Sequence, residues 1–302
     1  MYKRQGWETN AGLAFQLLKE FGARADLTVY YEAGIQWRDW RDTWDVMTGR
    51  GINRQIQRAY GALATRYRAG DKIVLMGYSR GAYAVRSLAG VIDMVGLLKA
   101  EEATVSRITT AYRHYQAGAT SQAASEFKRY CHEATPIEAV AVWDTVKALG
   151  LRIPGVWRLT MRTHAFHNDA LGPSIRNGFH AVALDETRLA YAPIMWSCPE
   201  EWQGHMEQVW FKGTHTDVGG QVGPETTHRP LSNIPLVWIL DRLQACGLPL
   251  PSGWQERFPQ DVTAPSVGAW HGWAKLFWVR RARVVGACRS ERLHETVADR
   301  SR

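Results

Sequence analysis

Ser79 lies between two glycines in Gly77-Tyr78-Ser79-Arg80-Gly81. A serine hydroxyl is a weak nucleophile until a base takes its proton and an acid orients that base. Lys72-Ile73-Val74-Leu75-Met76 precedes it and reads as a short buried strand, while the run from Ala82 to Ala89 reads as a helix. A serine on a sharp strand-to-helix turn is a nucleophile elbow. The turn strains the serine backbone, and side chains at the flanking glycine positions would meet the strand and helix around them. The helix then aims its N–H groups and positive dipole end at the oxygen where charge develops. Arg80 follows the nucleophile, so its N–H is the candidate oxyanion donor. Its side chain is expected in an ion pair. The plainer alternative for Ser79 is a tight βα turn whose serine does no chemistry.

The base and the acid must come from elsewhere in the chain. In a parallel sheet the C-terminal ends of the strands open on one edge, so distant residues converge there. Asp144 directly follows the apolar strand Ile137–Trp143, and His215 sits in the turn after Gln208-Val209-Trp210-Phe211. The chain order serine, acid, histidine is the one that suits an elbow of this kind. Asp144 has a second reading as a helix N-cap. His215 has a rival in His180, which lacks a clear strand-end position. His164 and His167 fall in a stretch with little pattern and are expected to be solvated. Asp217 is expected to serve its own turn, and Gly219-Gly220 to allow close packing near the site.

The elements that would position these residues alternate along the chain. Leu13, Leu17 and Phe21 have helical spacing; Leu27–Tyr31 reads as a strand; a helix is expected over 51–68. Trp37, Trp40 and Trp44 fall in a loop or irregular helix between them. Such alternation predicts an α/β fold of the α/β-hydrolase kind, a mostly parallel sheet with helices on both faces. Residues 98–133 are helical and polar and are expected to form a cap inserted over the site. A helix runs from Asn233 to Ala245 with Pro235 in its first turn. The catalytic domain is expected over residues 1–250, followed by a Trp- and Arg-rich extension over 251–302.

With 302 residues, 45% of them hydrophobic, the chain can bury a large core. The net charge of +8 comes largely from scattered arginine, with Arg280, Arg281, Arg283, Arg289 and Arg292 close together near the end. No nucleic-acid module accompanies them, so a solvated tail is expected and nucleic acid is not an expected partner. The four cysteines Cys131, Cys198, Cys246 and Cys288 have no C-x-x-C pairing, and reduced thiols are expected. No metal or cofactor is expected. No apolar run reaches bilayer-spanning length and no secretory leader stands at Met1, so the chain is expected to be cytoplasmic as synthesised.

Four blocks together resemble a known family. They are Gly77–Tyr83, Val142-Trp143-Asp144-Thr145-Val146, His180–Glu186, and Trp210–Gly220. The family is an α/β-hydrolase domain whose better-known members are phospholipase effectors of type VI secretion systems. The resemblance runs from about Thr9 to Leu248 and more loosely through Trp273. It implies a triad of Ser79, Asp144 and His215, cleavage of glycerophospholipid acyl esters, export as an effector, and secretion or immunity partners. Family members open with a strand ending in a D-G-T-x-N motif, which supplies a second oxyanion donor. That motif is expected upstream of residue 1, the sequence here being read as truncated.

A lipid-acting serine ester hydrolase is therefore the leading expectation. Trp270, Trp273, Phe277 and Trp278, with Arg280 and Arg281 behind them, could contact a membrane surface or pack on the domain. The alternatives are a non-lipid esterase or thioesterase with the same triad, and a catalytically impaired interaction module that keeps the fold.

Overall fold

The computed structural model describes residues 8–24, 26–33, 50–146, 170–223, 226–269, 279–286 and 288–300. The tryptophans at 37, 40 and 44, His164, His167, and the cluster Trp270, Trp273, Phe277 and Trp278 lie outside the described residues.

Among the described residues, five strands build the sheet: β1 (Ile73–Tyr78), β2 (Ile137–Trp143), β3 (Ile175–Ala183), β4 (His205–Phe211) and β5 (Glu291–Leu293). They lie in sequence order and every neighbouring pair is parallel. Parallel strands need crossovers; helices supply those from β1 to β2 and from β4 to β5, while the connection from β3 to β4 holds only the short 3-10 turn Leu189–Tyr191. The α-helices among the described residues are α1 (Asn10–Lys19), α2 (Arg50–Ala64), α3 (Arg80–Val95), α4 (Val105–Gln116), α5 (Gln122–Phe127), α6 (His215–Gly219) and α7 (Arg229–Ala245).

Strand β2 shows why both faces are covered. Val140 and Val142 point into one core with Ile56 and Tyr60 of α2, Leu88 and Ile92 of α3, and Tyr112 and Tyr115 of α4. Ala139, Ala141 and Trp143 point into the other, with Leu17 and Leu18 of α1 and Leu236, Ile239 and Leu240 of α7. An apolar strand buried on both sides is what a central parallel position requires.

Several expectations change. The segment 98–133 joins the first of these layers, through Tyr112, Tyr115, Phe127 and Cys131. Strand β3 begins at Ile175, so His180 is inside it. Its start is masked in sequence by Arg176-Asn177-Gly178, whose polar atoms bond at the sheet margin, as Asn177 does to the Glu138 carbonyl. Leu27–Tyr31 makes a single antiparallel bridge, Leu27 to Arg24, and no ladder. Tyr31 stacks instead on Phe15 of α1, ring centres 4.5 Å apart. Helix α7 starts at Arg229 with Pro230 in its first turn, and Pro235 lies within it.

Described residues beyond 250 pack with the residues before them. Trp254, Phe258, Val262 and Ala264 pack in the second core, and β5 pairs with β4 from Gln208↔Glu291 to Trp210↔Leu293. That pairing also corrects the cysteine reading. It brings Cys288, just ahead of β5, to Cys198 in the loop before β4, with Cα atoms 6.4 Å apart and a disulfide between them. The separation is within bridging range. Cys131 and Cys246 are free. The two bonded residues are 90 apart in sequence, so the bond closes a long loop. Closing such a loop stabilises by about 2–4 kcal/mol. Non-reducing peptide mapping is expected to recover a Cys198–Cys288 linked pair, and a reducing agent to lower the melting temperature. No linked pair in oxidised protein would sink this assignment.

Candidate active site

Ser79 follows β1 and begins the turn into α3. Its φ of 57° and ψ of −120° are a strained combination for a residue with a side chain. Packing explains the strain. A Cβ on Gly77 would lie 2.5 Å from the carbonyl oxygen of Gly81, so strand and helix touch backbone to backbone. The flanking glycines are not equivalent, however: a Cβ on Gly81 meets nothing within 4 Å. Arg80 is the first residue of α3, which puts its N–H at the helix N-terminus beside Ser79.

Asp144 follows β2 and has φ of 40°, in the left-handed region that Asp tolerates. The Ser79 N–H donates to the Trp143 carbonyl at 3.0 Å, and the Asp144 N–H to Ala181 at 2.8 Å. The ends of β1, β2 and β3 are thereby tied side by side. His215 opens the short helix α6, four residues past β4. Thr214 and Asp217 form a capping box there, with Asp217 Oδ2 accepting from the Thr214 N–H at 2.7 Å and its Oγ1 at 2.8 Å. Asp217 also accepts from Ser266 Oγ and the Val267 N–H. Gly220 closes the helix at φ of 74°.

These elements join three side chains in series. Ser79 Oγ is 2.9 Å from His215 Nε2, and His215 Nδ1 is 2.6 Å from Asp144 Oδ2. The network assigns the proton on Nδ1 to the Asp144 bond, leaving Nε2 to accept from the serine hydroxyl. Asp144 is fully buried and His215 nearly so. His180 is occupied elsewhere. Its Nε2 accepts from the Thr145 N–H at 3.2 Å, and its Nδ1 faces Gln208 Oε1 at 3.4 Å. Burial pushes its pKa down to about 3, so it is a neutral ring that holds the backbone next to Asp144.

Sequence reasoning missed the groups around this series. Arg283, read as part of a solvated tail, has its side chain buried and forks onto Asp144: Nη1 to Oδ1 at 2.6 Å and Nη2 to Oδ2 at 3.0 Å. Burial alone would raise the Asp144 carboxyl. The Arg283 guanidinium and the His215 hydrogen bond outweigh it and hold the group well below the usual carboxylate range. Glu186, also buried, accepts from the His215 N–H at 3.2 Å and is paired with Arg188. Tyr78 donates to the His215 carbonyl at 3.2 Å, and the Tyr78 and Tyr191 rings lie 4.9 and 4.8 Å from the imidazole. Glu186 stands in one of the four sequence blocks, which is the only signal that pointed to it.

A parallel, helix-covered sheet with this series on its C-terminal edge has the architecture of the α/β-hydrolase class. The chain belongs to the family described as T6SS, phospholipase effector Tle1-like, catalytic domain, whose model matches residues 2–242. It is also similar to an uncharacterized protein of Saccharomyces cerevisiae, YEL023C, at 29% identity over 154 residues, which is 48% of this chain and 21% of the yeast protein. A solved structure of the Tle1 effector bound to the VgrG spike of the type 6 secretion system is similar at 17% identity and a TM-score of 0.32. That match covers 72% of this chain and 45% of the other. The chain thus spans 21% of the curated relative and under half of the solved one. Among the described residues, no helix is long and apolar enough to cross a membrane.

Proposed function

We propose that this chain is a serine hydrolase that cleaves acyl esters of phospholipids through an acyl-enzyme on Ser79. The observation that carries the reading is the unbroken series Ser79 Oγ, His215 Nε2, His215 Nδ1, Asp144 Oδ2, at 2.9 and 2.6 Å. Family membership supplies the substrate class, since the family is one of phospholipase effectors.

In the first half-reaction His215 Nε2 takes the proton of Ser79 Oγ as the oxygen bonds to the ester carbonyl carbon. The carbonyl oxygen becomes an oxyanion facing the Arg80 N–H at the start of α3. Asp144 stabilises the imidazolium that forms. The intermediate collapses, and His215 returns its proton to the departing lysolipid or glycerol oxygen. Water then attacks the acyl-serine with His215 again as base, releasing a fatty acid. The groups act as a unit: Tyr78 and Glu186 fix the histidine backbone, so the ring alone has to turn.

The family's designation as effectors supports export by a type VI apparatus, with secretion or immunity partners, as the setting. The test uses the purified chain with phospholipid vesicles and short acyl esters, and reads free fatty acid. The wild type is expected to release it and to label at Ser79 with a fluorophosphonate. Ser79→Ala is expected to lose about 10⁵–10⁶-fold in kcat. Equal turnover by wild type and Ser79→Ala would overturn the reading. Turnover of the short esters with none of phospholipid would move the substrate class to non-lipid esters.

A further inference from the structure

Arg283 lies beyond the residues that the family model matches, 2–242, yet it reaches the centre of the site. We propose that Arg283 is a positioning residue for the serine–histidine–aspartate series, acting through the Asp144 carboxylate. This inference rests on the serine-hydrolase reading above.

An ionised carboxylate offers about four acceptor sites. Asp144 has four donors on it: the Ala183 N–H at 2.9 Å and Arg283 Nη1 at 2.6 Å on Oδ1, with His215 Nδ1 at 2.6 Å and Arg283 Nη2 at 3.0 Å on Oδ2. The planar fork of a guanidinium sets both oxygens at once and so fixes the plane of the carboxylate. Fixing that plane sets the direction from which Oδ2 meets the imidazole. His215 can then hold Nε2 on Ser79 Oγ.

Charge makes the same demand. Asp144 is fully buried, and a lone carboxylate without water tends to take up a proton. A histidine that is to accept the serine proton must carry no charge beforehand, so it cannot compensate. The guanidinium neutralises the carboxylate and keeps it ionised as an acceptor.

The chain around Arg283 is built to deliver it. Arg280 bridges to Arg188, the Arg281 N–H donates to the Thr187 carbonyl at 2.8 Å, and Cys288 is disulfide-bonded to Cys198. Between these anchors the guanidinium also donates to the carbonyls of Ala183 at 2.6 Å and Tyr191 at 2.5 Å. The guanidinium thus ties the Asp144 carboxylate to the backbone at Ala183 and at Tyr191.

The test compares wild type, Arg283→Lys and Arg283→Ala for kcat and KM on a short acyl ester and for the rate of fluorophosphonate labelling at Ser79. Melting temperatures identify the folded variants. Arg283→Ala is expected to lose about 100-fold in kcat with KM little changed, the cost of a misplaced catalytic group. Arg283→Lys keeps the charge without the fork and is expected to fall between. Added guanidinium ion is expected to restore part of the rate of Arg283→Ala and none in wild type. Where Arg283→Ala does not fold, Arg283→Lys decides. A folded variant with wild-type kcat, or a loss confined to KM, would overturn the proposal. Proton NMR of the low-field imidazole N–H reads the His215–Asp144 bond without any turnover. That resonance is expected to weaken or move in both variants, and an unchanged resonance would overturn the proposal even if the wild type proved inactive on every ester.

Discussion

Asp144→Asn is expected to lower kcat by about 10⁴-fold while the chain still folds. An aspartate that orients a catalytic histidine sets its tautomer, and an amide in its place can turn its NH₂ toward Nδ1. The proton then moves to Nε2, which can no longer accept from Ser79 Oγ. The substitution is well suited to the position, because Asn, like Asp, tolerates the φ of 40° found there, where Ala would add strain. It also uncovers a second effect. Arg283 has its side chain buried against Asp144, so removing the negative partner leaves an uncompensated charge. Breaking one side of a buried pair costs about 3–5 kcal/mol. The melting temperature should therefore fall with kcat. Adding Arg283→Met to Asp144→Asn should recover stability and leave kcat low, since losing both partners costs less than losing one. Activity of Asp144→Asn within tenfold of wild type would refute the role. Acid should act in the same direction as the substitution. The carboxyl sits lower in the folded chain than its ordinary value of 3.8. Its contribution to stability is therefore complete above that value and drains as pH falls toward the folded one.

Ser79, Asp144 and His215 were legible because each is marked by something local: a glycine-flanked turn, and two strand ends. Parallel order alone then predicted that the three would share an edge. What escaped notice is made by packing at long range. Arg283 sits in a stretch of Arg, Val and Ala with no period, and only the folded chain shows that the residue 139 positions earlier is a buried carboxylate needing a cation. Strand β5 is three residues long, too short to leave an alternation. Without β5 on the sheet, nothing relates Cys288 to Cys198, so the absence of C-x-x-C spacing was no guide to their pairing. His215 to Gly219 read as a turn, because one turn of helix has no hydrophobic period; its evidence was the capping pair Thr214 and Asp217. Leu27–Tyr31 shows the reverse error. Its β-branched and aromatic residues have strand propensity, but propensity forms no ladder without a neighbour to pair with.

Gly77→Ala and Gly81→Ala are expected to have opposite effects, although the two glycines look symmetrical about Ser79. At Gly77 the new Cβ would lie 2.5, 2.6 and 2.7 Å from the Gly81 oxygen, the Gly81 carbonyl carbon and the Ala82 nitrogen. All three are backbone atoms of the first turn of α3, so no side chain can swing aside. Strand and helix must part, and Ser79 is the residue that joins them. Overpacking of this kind costs about 1–3 kcal/mol. A chemical cost comes on top of it, since displacing a nucleophile by about 1 Å can lose about 100-fold in rate. At Gly81 the substitution fills empty space inside a helix. There Ala restricts the unfolded chain and stabilises by about 0.4–1 kcal/mol. Melting temperature and the rate of fluorophosphonate labelling at Ser79 separate the two. Gly77→Ala should melt lower and label at least tenfold more slowly. Gly81→Ala should melt slightly higher and label within a few-fold of wild type. A Gly77→Ala protein that labels at the wild-type rate would mean that the contact between β1 and α3 does not hold the serine in place, and the strain at Ser79 would then need another origin.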